Sequence, residues 1–196
     1  MSGTHEDAAV SRRVRRLETL LEERGVVVGA ELDEALDAFL AGASPANGAR
    51  VAARAWTDPG YRERLLADGT AAVAELGFVS GGVRPQRLRV VENTEDVHNV
   101  VVCTLCSCYP IGLLGPSPGW YKSEAYRSRV VREPRAVLAE FGVRLGEGVR
   151  VVVWDSTSET RYMVLPRRPE GAARAGSEEE LAGLVTRNGL IGTALL

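Results

Sequence analysis

Val102-Cys103-Thr104-Leu105-Cys106-Ser107-Cys108 contains every cysteine of the 196-residue chain. Independent core cysteines behave as small buried hydrophobes and scatter along a sequence, so three thiols in C-x-x-C-x-C spacing ask for a joint explanation. A disulfide inside the motif closes a tiny, strained ring and leaves one thiol over. Structural zinc and iron–sulfur clusters want four Cys or His ligands. His98 is the candidate fourth ligand, but it stands on a predicted strand and not at finger spacing. The disulfide, inert-thiol and zinc readings stay open on these grounds.

A rarer arrangement suits the spacing better. One metal taking the thiolates of Cys106 and Cys108 and the deprotonated backbone nitrogens of Ser107 and Cys108 closes a six-membered and two five-membered chelate rings through bonded atoms alone. That is an N2S2 square plane. Cys103, one turn back, supplies an axial sulfur and leaves the opposite position open. Amidates and thiolates suit a trivalent ion such as cobalt or iron better than zinc. Three thiolates and two amidates around such an ion leave it at about −2, so it needs cations around it.

Working outward, Val100 to Val102 predicts a strand running into Cys103, and Leu88, Val90 and Val91 predict another before it, after a turn at Gly81-Gly82 and Pro85. A ligand set at a strand end is held by a rigid element and still faces a cleft. Pro110, Gly112, Gly115, Pro116, Pro118 and Gly119 predict an irregular segment over the site. Further on, helices are expected over 122–132 and 134–141, ended by Gly142, and strands over 149–154 and 161–165. Ser177 and Glu180 form a capping box for a helix to about Val185, and the apolar tail GLIGTALL predicts an edge strand or an interface.

The first half is helical. Val10, Val14, Leu17 and Leu21 recur at helical spacing over 6–24, where Gly25 provides a stop, and Leu32, Leu36, Phe39 and Leu40 do so over 30–41. Both stripes are narrow, and on pattern alone they fit a hairpin packed on its own domain. Ser44-Pro45 and Asp58-Pro59 read as caps followed by proline at the first helical position, introducing helices over 45–56 and 59–67. Gly69 is read as the end of the second, and 70–76 as a further helix stopped by Gly77. Helices first and a mixture afterwards predict an α+β fold, a helical arm over 1–44 followed by a layered sheet-and-helix domain over 45–196 that carries the metal.

A formal charge of −2 and a pI near 5.8 argue against a nucleic-acid binder. No stretch approaches the roughly 18 apolar residues of a membrane span, and the N-terminus lacks the apolar core of a signal peptide. Metal-binding thiols fit a reducing compartment. The expectation is a cytoplasmic protein.

VCTLCSC, followed by Tyr109-Pro110 and by WYKSEAYRSRVVREPRAVLAEFG from Trp120, closely resembles the α subunit of nitrile hydratase. The resemblance continues through VWDSTSETRYMVLPRRPEG at 153–171 and LVTRNGLIG at 184–192. Upstream it includes NGARVAARAW at 47–56, YRERLLADGTAAVAELGF at 61–78 and VVENTEDVHNVVVC at 90–103. It spans most of the chain past residue 45. The cysteine motif is shared with the metal subunit of thiocyanate hydrolase, so fold and site transfer more safely than substrate.

The resemblance implies that Cys103, Cys106 and Cys108, with the amides of Ser107 and Cys108, hold a low-spin trivalent metal, with Cys106 oxidised to the sulfinate and Cys108 to the sulfenate. It implies a β subunit whose two arginines meet the oxidised sulfurs, an N-terminal arm lying on that partner, and a metallochaperone or activator. Thr104 resembles the Co(III) type, whereas Fe(III) members usually carry serine there. The implied reaction adds water to a nitrile to give the amide. The attacking oxygen stays open among one on the metal, a nearby water and the Cys108 sulfenate. Tyr109 and Trp120 are the candidate pocket residues, and Asp155, Glu159 and Arg161 match a polar set behind the ligands.

Two departures stand out. Where the family commonly shows Trp-Pro and later Leu-Pro-Pro, this chain has Ile111-Gly112 and Pro116-Ser117-Pro118. Losing a large ring and a proline beside the metal reshapes the pocket, which points to a bulkier nitrile or to the thiocyanate branch. It also points to three-subunit members such as toyocamycin nitrile hydratase, which hydrates a nucleoside nitrile. A non-catalytic metal-binding or redox-sensing subunit is the rival from another class; it predicts zinc or reversible thiols and no charge-transfer absorption.

Overall fold

Residues 3–79, 86–170 and 177–196 are described by the computed structural model. The turn expected at Gly81-Gly82 and Pro85 lies outside them. The chain divides into two units, Met1–Ala41 and Gly42–Leu196.

The first unit is a pair of helices, α1 (Gly3–Glu23) and α2 (Gly29–Ala41). Gly25, at φ 65°, ends α1 in a left-handed turn, where its amide donates to the Glu22 carbonyl and the Val26 amide to that of Leu21. The apolar stripes are exposed: Val10, Val14, Leu17 and Leu20 on α1 and Leu32, Leu36 and Leu40 on α2 stand open to solvent. No residue of α2 is buried.

The second unit begins with three helices in relay, α3 (Pro45–Thr57), α4 (Pro59–Ala67) and α5 (Gly69–Glu75). The side chains of Ser44, Asp58 and Asp68 accept from the amides of Ala46, Tyr61 and Ala71. Asp58 and Asp68 each end one helix and cap the next. Gly69 therefore does not end α4; Asp68 does, and Gly69 opens α5. Its glycine serves close packing, since a Cβ there lies 2.9 Å from the Leu88 carbonyl oxygen.

Four strands follow: β1 (Arg87–Glu92), β2 (Val97–Val102), β3 (Arg150–Asp155) and β4 (Thr160–Leu165). They form two parallel pairs, β1 with β4 and β2 with β3. In β1 the exposed Arg87 and Arg89 alternate with the buried Leu88 and Val90. Val100, Val101 and Val102 of β2 are all buried, as the strand lies inside the core. Parallel pairing places Val102 beside Asp155 and Leu88 beside Arg161, so the 156–159 connection passes from one sheet to the other.

Between β2 and β3 lie α6 (Ile111–Leu114), α7 (Gly119–Lys122), α8 (Glu124–Arg129) and α9 (Pro134–Glu140). The segment expected to be irregular thus contains two single helical turns. The helix expected over 122–132 breaks at Ser123, whose hydroxyl caps α8 by accepting from the Tyr126 amide. Two helices complete the unit, α10 (Glu178–Leu184), with the expected capping box at Ser177 and Glu180, and α11 (Arg187–Ile191). The start of the apolar tail, residues 189–191, is therefore helical and not an edge strand. Thr186 caps it through the Gly189 amide, Gly192 ends it at φ 90°, and Leu190 and Ile191 enter the core. A four-residue apolar run does not distinguish a strand from a buried helical turn by periodicity.

A buried polar network ties this end to the sheets. His98 Nε2 donates to the Gly192 carbonyl at 2.7 Å, and its Nδ1 faces Asn93 Nδ2 at 3.4 Å. Asn93 Oδ1 accepts from the Asn99 amide, and Trp154 Nε1 donates to Asn99 Oδ1. His98 is thus a satisfied core histidine and no ligand to the cysteines.

Candidate metal centre

At the end of β2 the backbone leaves the sheet in a bend that turns three sulfurs inward. Cys103 is buried, Cys108 half-buried and Cys106 exposed. Their sulfurs all lie within 4.8 Å of one another, with Cys103 to Cys106 at 3.5 Å and Cys106 to Cys108 at 3.3 Å. Two sulfurs bonded at about 2.3 Å to one ion stand roughly 3.3 Å apart at a right angle and about 3.8 Å apart at the tetrahedral angle. The Cys106–Cys108 separation fits the right angle, and the Cys103–Cys106 separation lies between the two values. The Cys106 amide donates to the Cys103 sulfur at 3.3 Å, and the backbone amides of Ser107 and Cys108 lie near enough to the Cys106 sulfur to favour its thiolate.

The thiols interact strongly. Hydrogen bonding from Cys108 pulls Cys106 down to about 7, while burial pushes Cys108 up to about 12 against the opposing charge of Arg161. Cys106 is thus the more easily deprotonated of the two, and both sulfurs must lose their protons to bind a metal.

Three elements grip the bend from behind. The Thr104 amide and hydroxyl donate to the two carboxylate oxygens of Asp155, at 2.9 and 2.5 Å. Arg127 Nη1 donates to the Thr104 carbonyl at 3.1 Å. Tyr121 donates to the Cys108 carbonyl at 2.9 Å and Tyr126 to that of Val101 at 2.7 Å. Burial raises the phenols of both tyrosines far above the usual value, which keeps them donors. Sequence reasoning missed Tyr121, Tyr126 and Arg127, although all three lie in the WYKSEAYRSR stretch, where buried aromatics are indistinguishable from ordinary core.

The other candidates separate. Tyr109 lines a cavity of about 400 Å³ together with Cys106, Ser107, Cys108, Gln86, Ile111, Pro116, Ser117, Lys122 and Arg161. Its hydroxyl is buried without a partner among the described residues. Trp120 packs edge-on to Tyr126 and Phe141, with ring centroids 4.9 and 4.6 Å away, and is absent from the lining of that cavity. Arg161 is buried, reaches the Thr157 carbonyl with Nη1, and leaves Nε without a partner. Glu159 is exposed, its carboxylate held low by the Ser158 and Thr157 hydroxyls, and it does not line the cavity.

A three-thiol cluster at a strand end, braced by an α+β scaffold, defines the chain as a candidate thiolate metal protein. The family model described as "Nitrile hydratase, alpha chain" matches residues 8–194, and the chain belongs to that family of lyase subunits, whose reaction takes a nitrile to the amide. It is 50% identical over 184 residues to the cobalt-containing nitrile hydratase subunit alpha of Pseudonocardia thermophila, covering 93% of this chain and 89% of the relative. It is 45% identical over 160 residues to the thiocyanate hydrolase subunit gamma of Thiobacillus thioparus, covering 77% and 65%. A double mutant of the Fe-type nitrile hydratase from Comamonas testosteroni Ni1 superposes with a TM-score of 0.88 at 43% identity, covering 96% and 91%.

Proposed function

We propose that this chain is the metal-bearing subunit of a cytoplasmic nitrile hydratase, loaded with Co(III) in preference to Fe(III). The observation that carries the proposal is the clustering of three sulfurs at the end of β2 in a chain half identical to a cobalt enzyme's subunit. Cys103, Cys106 and Cys108 hold the ion with the amides of Ser107 and Cys108, Cys106 as sulfinate and Cys108 as sulfenate. A trivalent ion held there supplies Lewis acidity toward a nitrile or water.

The chain's own residues do the rest. Asp155 and Arg127 fix Thr104, and Tyr121 fixes the Cys108 carbonyl, so the bend is set before the ion arrives. Tyr109 and Ile111 give the substrate's substituent an apolar wall, and Arg161 supplies positive charge beside Cys108. Water adds across the carbon–nitrogen triple bond, and the resulting imidate takes up its proton shift to become the amide. Leu105, 88% exposed at the tip of the bend, and the bare stripes of α1 and α2 call for a β-type partner that covers them. That partner brings the arginines for the oxidised sulfurs, and an activator delivers the metal.

Ile111 in place of a large ring leaves room for a bulky nitrile, of which the nucleoside nitrile toyocamycin is a test case. The thiocyanate hydrolase relative supports a second reading, hydrolysis of thiocyanate to carbonyl sulfide and ammonia. Metal analysis and peptide mass on the purified complex, followed by turnover of a small nitrile, toyocamycin and thiocyanate, test the set. One cobalt per chain, added oxygen on the 103–108 peptide and amide formation are expected. Zinc with unmodified thiols overturns the enzymatic reading, and carbonyl sulfide alone moves the chain to the second.

A further inference from the structure

Among the chain's 24 basic residues, 23 are arginine and one, Lys122, is lysine. That lysine lines the cavity of Cys106 and Cys108, at the end of α7. Among the described residues, Lys122 and Arg161 are the basic groups lining that cavity, and no carboxylate lines it. Lys122 has no ion-pair or hydrogen-bond partner among the described residues, whereas Arg54, Arg62, Arg64, Arg129 and Arg167 are all paired with carboxylates. Arg161 is 8% exposed, and its Nε has no partner either. Gln86 and Ser117 add neutral polar groups to the lining.

Two cations, one of them buried with a spare donor, face a roomy cavity whose anionic groups among the described residues are the cysteine sulfurs alone. Arg161 lies close enough to Cys108 to act on its sulfur, which commits its charge to the cysteines. Lys122 is the uncommitted one. Its ammonium is a compact point charge on a flexible four-carbon stem, suited to a small oxyanion at variable depth. A guanidinium's planar fork demands fixed bidentate geometry.

We propose that Lys122 is a specificity-determining residue whose ammonium binds a carboxylate on the substrate's substituent, so that the pocket selects nitriles carrying an anionic oxygen remote from the nitrile group. This rests on the nitrile hydratase reading of the same site. The nitrile end meets the cysteine cage and the carboxylate end meets Lys122, with Gln86 and Ser117 available to its second oxygen.

Because Lys122 is the only lysine, reductive methylation with 13C-formaldehyde marks its Nζ and the N-terminal amine of this chain and nothing else in it, while keeping the positive charge. The labelled full chain, assembled with unlabelled partner, is titrated with cyanobutanoate and with pentanenitrile, its neutral counterpart. The Lys122 methyl resonance is expected to shift saturably with cyanobutanoate and to stay fixed with pentanenitrile. In kinetics, Lys122→Met is expected to raise KM for cyanobutanoate roughly ten- to a hundredfold, the range for losing one charged hydrogen bond. The loss on pentanenitrile is expected to be much smaller than that on cyanobutanoate, and Lys122→Arg recovers part of the latter. An unmoved resonance overturns the proposal, as does an equal loss on both nitriles, which assigns the charge to the metal cage instead. The resonance reads binding without turnover. An enzyme that hydrates neither nitrile therefore sinks the nitrile hydratase reading while the titration still decides the role of Lys122.

Discussion

Asp155 accepts both hydrogens that Thr104 presents, one from the backbone amide and one from the hydroxyl. The pairing follows from register: Asp155 lies opposite Val102 at the end of β3, two residues short of Thr104. Thr104 is thus clamped to a neighbouring strand, and any effect of its side chain on the ligands is transmitted through a fixed bend. Asp155→Asn keeps the size but replaces one acceptor oxygen by a donor that faces donors. Metal per assembled complex is expected to fall about ten- to a hundredfold in affinity, the range for partners that orient metal ligands, with Thr104→Val less affected. Full metal occupancy in Asp155→Asn by elemental analysis contradicts this.

The two tyrosines divide their labour. Tyr126→Phe strands the buried Val101 carbonyl and is expected to cost about 1–2 kcal/mol of stability, read as a lowered denaturant midpoint with metal content unchanged. Tyr121→Phe frees the Cys108 carbonyl and is expected to speed metal loss to a chelator. The reverse pattern in the two variants removes the assignment.

Ile111→Trp places a large ring in the cavity. Turnover of a bulky nitrile is expected to fall at least about tenfold while a small aliphatic nitrile is largely spared, since overfilling a formed pocket is costly only for what no longer fits. Parallel losses on both substrates point to a disturbed bend instead.

Burial lowers His98 below its ordinary 6.5, partly offset by its hydrogen bond to the Gly192 carbonyl. The unfolded chain therefore binds a proton first as the pH falls. Its contribution is complete above 6.5 and is lost as the pH drops toward the folded-state value. Thermal midpoints between pH 7.5 and 5, a window set about that reference value, are expected to fall more steeply for the native chain than for His98→Gln. Equal slopes remove His98 as a source of acid sensitivity.

Much of this was legible in the residues. Caps at Ser44, Asp58 and Ser177 announced their helices through side-chain chemistry that is local, and the cysteine spacing announced a shared ligand through covalent geometry. What escaped depends on tertiary approach. Gly69 resembles a helix stop until β1 is seen against it, and the tail around Leu190 resembles a strand until its cap at Thr186 is seen to hold. Trp120 and Tyr121 are adjacent aromatics, and only packing shows that the first joins the core while the second reaches the Cys108 carbonyl. Lys122, beside them, stood in the same family-like stretch with nothing local to give it a role.

The four residues 156–159 connect Asp155, at the closing end of one parallel pair, to Thr160 and Arg161 at the opening end of the other. Surface loops usually tolerate length changes, but this one is a spacer of set length between two parts of a single instrument. Adding a residue there alters neither anchor, yet it changes how far the clamp on Thr104 stands from the charge beside Cys108. Length at this connection is therefore a tuning variable for the metal's surroundings, as open to engineering as any side chain within it.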